Sequence, residues 1–522
     1  MRNDPTRRLV LKAGAAAAGA SANVAGVAGA GLLAGCASLA APRSDEEMLA
    51  MSSAEAIAAI RSGRMSAERY VQASLARAER IRDLNAFIAL DRAGAIARAR
   101  RIDAQRAAGS ALPPLAGLAI VVKDNINTSE LPTTAGTPAL RNVRPRANAP
   151  ALQALIDAGA IVIGKTNLHE LAFGITSTNL APFAGPVHNP YDPSRIPGGS
   201  SGGTAVAIAE RVVTSGLGTD TGGSTRVPAA LCGVVGLRPS VGNGGAERRY
   251  DPRGVVPISH TRDTIGPMGR TVADVALLDG IVTGAAPVSA APLAGLRIGI
   301  PASFWSGLEP QVAEVAGRAR ARLAAAGVVF VDVDTAGLAA LNEKVSFALA
   351  LHEPIADIPA YLAATGVTGI SVHDIATQIA SPDVKGAFGA IEADALGAGY
   401  PDAMRVSRPA MQALYADYFR ANRLEAMLFP TTIAAAVPID TAAGSGKFSL
   451  NGALVDTFAT MIRNTDPGSN AGIPGLSLPA GIGPSGLPIG IELDGPLGSD
   501  RRLLAIGLAF EAVLGHVPAP AS

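Results

Sequence analysis

Apolar positions in residues 44–106 recur at helical spacing, as in Ala54, Ile57 and Ile60 or Tyr70, Ala73 and Ala76. This predicts an opening layer of helices. After Pro113-Pro114 the pattern changes to short apolar runs rich in β-branched residues, at 118–122 and 160–163. Each run is followed by a polar or glycine-containing loop, and residues 151–158 between them keep helical character. Further strands are predicted at 296–300, 328–333 and 487–493. The alternation is that of an α/β protein. Residues 185–239 are dense in Gly, Ser and Thr around one helical stretch, 204–212, and a loop this rich in small residues lets the backbone approach a ligand closely. Chemistry is expected there. No internal repeat is evident, and no linker divides the chain after residue 42.

The composition supports a packed core and narrows the partners. Of 522 residues 48% are hydrophobic, which excludes intrinsic disorder. Forty-four Lys and Arg against 43 Asp and Glu leave a net charge of +1, without the basic footprint that nucleic acid or an acidic bilayer requires. Small, uncharged partners are expected and no nucleic acid. The two cysteines, Cys36 and Cys232, cannot build an intrachain disulfide framework whatever happens to Cys36, so packing must hold the fold.

Residues 1–42 differ from the rest. Arg7-Arg8 precedes an uncharged stretch rich in Ala and Gly from Ala13 to Pro42, which resembles a twin-arginine export signal. Leu33-Ala34-Gly35-Cys36 looks like a lipobox, with Cys36 as the lipidated first residue of the mature chain; the competing reading is ordinary cleavage near Ala40. A retained anchor helix is the third alternative, and its many small residues make insertion only weakly favourable. The expectation is an exported protein, periplasmic or held by a lipid at the membrane surface, with residues 43–522 as the working domain.

Several motif matches fail on physical grounds. Gly159 to Thr166 satisfies the spacing of a phosphate-binding loop, but the intervening Ala-Ile-Val-Ile forms a strand and commits its N–H groups to a ladder. Gly198-Gly199-Ser200-Ser201-Gly202 fits a nucleophile elbow, yet the three prolines at 190, 193 and 197 forbid the strand that must precede one. None of the six histidines (169, 188, 260, 352, 373 and 516) sits at zinc-ligand spacing, so no metal and no cofactor are expected. Lysine is rare, with only six in the chain, and both Lys123 and Lys165 follow apolar runs. Their spacing alone does not separate a functional lysine from a structural one.

Taken together, the motifs resemble the amidase signature family across nearly the whole chain after residue 42. They comprise Val122-Lys123-Asp124-Asn125-Ile126, Gly164-Lys165-Thr166-Asn167, Pro197 to Gly203, Gly218 to Arg226, Cys232 to Pro239, Asp263 to Met268 and Gly486 to Gly490. The resemblance implies a single large domain with a central mixed β-sheet covered by helices on both faces. It assigns a catalytic triad to Ser224, Ser200 and Lys123, with Ser200 in a cis linkage; the two serines stand at the family's interval of 24 residues. Ser224 would attack the carbonyl carbon and Ser200 would relay its proton to Lys123. That requires a neutral lysine, which costs about 4.6 kcal/mol at pH 7 from an ordinary pKa near 10.4 unless burial lowers it. The N–H groups of Thr221, Gly222, Gly223 and Ser224 would form the oxyanion hole. Ser201 would support the relay, Asp220 and Arg226 would hold the loop, and Lys165 would be structural.

The reaction so implied is hydrolysis of a small-molecule amide to a carboxylate and ammonia or an amine through an acyl-enzyme. Carbamate or ester hydrolysis with the same triad, and a non-catalytic binding lipoprotein, are the alternatives; the related tRNA-dependent amidotransferase subunit is ill-suited to an exported chain. Ten of the twenty aromatic residues fall within 347–458, either as an apolar acyl pocket or as the packing of a helical core. Ile379 to Gly386 resembles a segment of mandelamide and indoleacetamide hydrolases, which points to an aryl acyl group. A homodimer is left open.

Overall fold

The inner strands of one large sheet are almost wholly buried. The computed structural model describes residue 42 and residues 44–521, and its strands are β1 (Phe87–Leu90), β2 (Ala119–Lys123), β3 (Ile161–Thr166), β4 (Ser215–Asp220), β5 (Val235–Arg238), β6 (Thr264–Gly269), β7 (Arg297–Ile300), β8 (Val329–Asp332), β9 (Ala426–Pro430), β10 (Lys447–Leu450), β11 (Ala453–Asp456), β12 (Gly475–Ile482) and β13 (Pro488–Asp494). Eleven of them form the sheet in the order β1-β3-β2-β4-β6-β5-β12-β13-β9-β7-β8, and β10 and β11 pair separately. β3, β2 and β4 run parallel, as do β9, β7 and β8, while the ladders between these groups are antiparallel. The fold is mixed α/β.

β2 explains why the run at 118–122 is apolar throughout. Ala119 and Val121 pack into a core with the helix Gly202–Ala209, whereas Ile120 and Val122 pack on the other side with the helix Pro150–Asp157. A strand buried on both faces needs no polar alternation. Because side chains alternate along a strand, Lys123 shares the face of Ala119 and Val121, the face on which that first helix lies. A slip of one residue in register would carry it to the opposite layer. The half of the sheet around β12 and β13 is covered by the helices Pro310–Ala325 and Asp500–Leu514.

One expectation is corrected. Residues 44–106 are not wholly helical, since β1 interrupts them and pairs antiparallel with β3 at the sheet edge. Asn85, in the left-handed conformation at φ 52°, breaks the chain direction before β1, and Asp91 caps the next helix through the Gly94 N–H at 3.0 Å. The twin-arginine signal, the Cys36 lipobox and the cleavage region near Ala40 lie outside the described residues. Among the described residues no helix is long and apolar enough to cross a membrane.

Candidate active site

Three loops meet at the end of β2. Lys123 is fully buried, and its Nζ lies 2.7 Å from Ser200 Oγ and 2.7 Å from Thr219 Oγ1 at the end of β4. Burial pushes the lysine down to about 7, against the opposing pull of the Asp220 and Asp263 carboxylates. Asn125 Nδ2 also donates to Thr219 Oγ1, at 3.0 Å.

The Gly199–Ser200 peptide is cis, the geometry the family resemblance implies. Gly198 precedes it at φ 77°, where a Cβ would come within 2.9 Å of Pro228 Cα, so both conformation and space require glycine. The Ser200 carbonyl accepts the His169 N–H at 3.2 Å. Ser201 touches neither Ser200 nor Lys123 by its hydroxyl; it bonds the Thr219 carbonyl at 3.2 Å and the Thr219 N–H at 3.3 Å. Its support reaches the lysine through Thr219.

The loop 220–226 is fixed carbonyl by carbonyl. Arg238 Nη1 donates to Asp220 O at 2.8 Å, Arg262 Nε to Thr221 O at 3.2 Å and Thr465 Oγ1 to Gly222 O at 2.6 Å. In a trans peptide the N–H points opposite the preceding carbonyl, so these three bonds also aim the N–H groups of Thr221, Gly222 and Gly223. The Gly223 N–H meets Asp220 Oδ1 at 3.0 Å and is thereby committed to the scaffold. It departs from the expected set of four oxyanion donors because the same carboxylate that holds the loop captures it. Among the described residues the N–H groups of Thr221, Gly222 and Ser224 have no acceptor within the chain. Gly223 itself sits at φ 135° against Thr465, where a side chain would overlap the threonine hydroxyl.

Asp220 and Arg226 are buried and paired, with Arg226 Nη2 to Oδ1 at 2.9 Å and Nε to Oδ2 at 3.1 Å, and Arg238 adds a third contact at 3.1 Å. Burial alone would raise the Asp220 pKa, but Arg226 and Arg238 outweigh it and hold the carboxyl far below its usual range. Arg226 continues to Glu492 at 2.5 Å and Ser469 Oγ at 2.6 Å. Lys165, with residues 161–166 of the phosphate-loop match, lies in β3; its Nζ pairs with Asp124 at 3.1 Å and bonds Ile126 O and Thr133 Oγ1, a structural use.

Ser224 is 6% exposed and, with Thr221 and Gly222, lines a cavity of about 250 Å³. Its hydroxyl makes no hydrogen bond to Ser200 among the described residues; the two loops are joined by the Ser201 N–H to Ser224 O bond at 3.2 Å. The remaining wall includes Phe173, Ile175, Phe347, Leu351 and Phe458, with the rings of Phe347 and Phe458 centred 6.1 Å apart. Of the ten aromatics in 347–458 these last two reach the cavity; Tyr361, Phe388, Tyr415, Tyr418 and Phe419 pack from helices into hydrophobic cores instead, as Phe429 does from β9. Phe173, Thr219, Asp263, Arg262 and Thr465 were not singled out by sequence reasoning. Thr219 and Asp263 stood within the recognised motifs, whereas Phe173 and Thr465 carry no local signal.

The family model described as Amidase matches residues 69–504. An indoleacetamide hydrolase of Agrobacterium vitis is 45% identical over 448 residues, covering 85% of this chain and 93% of the relative. A mandelamide hydrolase of Pseudomonas putida is 40% identical over 490 residues, 91% of this chain and 94% of the relative. Among solved structures, the peptide amidase of Stenotrophomonas maltophilia superposes with a TM-score of 0.75 at 29% identity, covering 90% of this chain and 98% of the other.

Proposed function

The chain belongs to the amidase family and is an amide hydrolase, and from that premise we propose a serine-dependent acyl-enzyme route on amides with aryl or other apolar acyl groups. The observation that carries the route is a buried lysine, held near neutrality, 2.7 Å from the Ser200 hydroxyl. Thr219 Oγ1 receives one Nζ hydrogen, leaving the lone pair of the neutral amine for the Ser200 proton. Ser200 Oγ then takes the proton of Ser224, whose oxygen attacks the carbonyl carbon. Rotation about the Ser224 Cα–Cβ bond closes this link; catalytic hydrogen bonds commonly tighten only in the reacting complex.

Negative charge on the carbonyl oxygen would be met by the N–H groups of Thr221, Gly222 and Ser224, with Gly223 serving through its bond to Asp220. One such donor is typically worth about 3–4 kcal/mol in the transition state. The proton returns through Ser200 to the leaving nitrogen, the amine or ammonia departs, and water hydrolyses the ester on Ser224. The apolar wall formed by Phe173, Phe347 and Phe458 favours an aryl acyl group, as do the substrates in the names of the relatives.

A fluorophosphonate probe and a substrate panel test this. Ser224 should be the labelled residue, Ser224→Ala should lose both labelling and turnover, and phenylacetamide should exceed acetamide at least tenfold in kcat/KM. Turnover surviving in Ser224→Ala would refute the route, and equal use of the two amides would refute the acyl preference.

A further inference from the structure

The charged side chains in the wall of the Ser224 cavity are not equivalent. Arg262 and Asp466 are buried and paired with each other, and both are committed to the scaffold: Arg262 to the carbonyls of Thr221 and Ser346, Asp466 to the amides of Asn342 and Asn470. Asp456 caps the helix Thr457–Ile462 through the Ala459 N–H at 2.8 Å. Asp383 stands apart. It lies in the first turn of the helix Pro382–Glu392, lines the cavity, and keeps 34% of its side chain exposed.

Its fixed partner is His169, fully buried, whose Nε2 lies 2.9 Å from Asp383 Oδ2. That ring is clamped: Nδ1 lies 3.2 Å from Thr176 Oγ1, and Gly174 packs so closely that a Cβ there would overlap the imidazole. Burial tends to raise the Asp383 pKa, but His169 and the N–H groups of the helix start outweigh it and hold the group below the usual carboxylate range. An ionised, pre-oriented acceptor therefore faces a cavity that is otherwise mostly apolar.

We propose that Asp383 reads the acyl group, its carboxylate accepting a hydrogen bond from an N–H or O–H carried by the aryl acyl group of the amide, on the ring or on the carbon that joins it to the carbonyl. This rests on the amide-hydrolase reading of Ser224 and narrows its substrate class to donor-bearing aryl acyl amides. The physical basis is asymmetric. A matched donor replaces the water that the carboxylate loses, whereas an isostere without the donor leaves a desolvated anion unpaired, and such sites discriminate more strongly than apolar fit alone. Anionic acyl groups would be rejected by repulsion.

Matched substrate pairs test the assignment without any variant: indole-3-acetamide against its benzofuran isostere, in which oxygen replaces the ring N–H, and mandelamide against phenylacetamide. The wild-type protein is expected to favour the donor-bearing member of at least one pair tenfold or more in kcat/KM. In Asp383→Leu that ratio should collapse towards one. Asp383→Ala serves if the leucine variant does not fold; it also removes the acceptor and should erase the preference as well. A merely structural Asp383 would instead lower both members of a pair equally. Ratios near one in the wild type for both pairs, or ratios unchanged in both variants, would overturn the proposal while amide hydrolysis at Ser224 stood. Failure of every amide together with no labelling of Ser224 would remove the reading beneath it, and the proposal with it.

Discussion

Lys123 is placed where an ammonium is least stable, buried at the end of a strand whose other residues are apolar, and its pKa of about 7 follows from that position. As pH falls through 7 the amine gains a proton and ceases to be a base, so kcat/KM should drop about tenfold per unit below that point. A pH profile without an acid limb near 7 would contradict the role. Lys123→Ala should lose most activity below about pH 8. The same residue carries a cost in stability. Between pH 7 and 10.5 the unfolded lysine holds a proton that the folded one lacks, so the penalty is full below 7 and fades as pH rises. Lys123→Met should therefore be more stable than wild type near pH 7 and lose that advantage towards pH 10, as measured by urea denaturation. Catalytic groups commonly trade stability for activity in this way.

At the scale of an element, the loop 220–226 shows how a glycine-rich stretch becomes rigid. Its carbonyls are tied by Arg238, Arg262 and Thr465, and its side chains by the Asp220–Arg226 pair. Thr465→Val removes the hydroxyl that orients the Gly222 carbonyl. It should lower kcat about tenfold with little change in KM, because the loosened Gly222–Gly223 peptide lets the flanking Gly222 and Ser224 N–H groups drift from the transition-state oxygen while the wall around the bound acyl group is untouched. An effect on KM alone would show that the loop serves binding. Arg226→Met breaks a fully buried network, leaving Asp220 to Arg238 and Glu492 without its arginine, a loss of about 3–5 kcal/mol in a denaturant titration. The motif residues of this loop were legible in the sequence. The capture of the Gly223 N–H by Asp220 was not, because a motif names residue types and not the direction of each peptide.

Over the whole molecule, the export reading makes a prediction independent of the active site. Replacing Arg7 and Arg8 by Lys should retain the protein in the cytoplasm of a bacterium that expresses it, and metabolic labelling with palmitate should depend on Cys36 if the lipobox is used. Export unaffected by the double replacement would refute the twin-arginine reading. The strands at 118–122 and 160–163 were readable because two-sided burial demands unbroken apolar runs, those at 296–300, 328–333 and 487–493 were readable from short runs rich in Val, Ile and Leu, and β1 was hidden because Phe-Ile-Ala-Leu beside helices has no distinctive period. The sequence by itself determined the α/β class and the family motifs, since these depend on residue type and local spacing, and the assignment of Lys123, Ser200 and Ser224 rests on the resemblance those motifs carry. Only the tertiary structure decided that Lys123 meets Ser200, that Phe173 joins Phe347 and Phe458 around Ser224, and that Asp383 is held by His169 at the cavity wall. Those contacts join residues tens to hundreds of positions apart, and their distances are set by sheet register and helix packing, which no local stretch of sequence encodes.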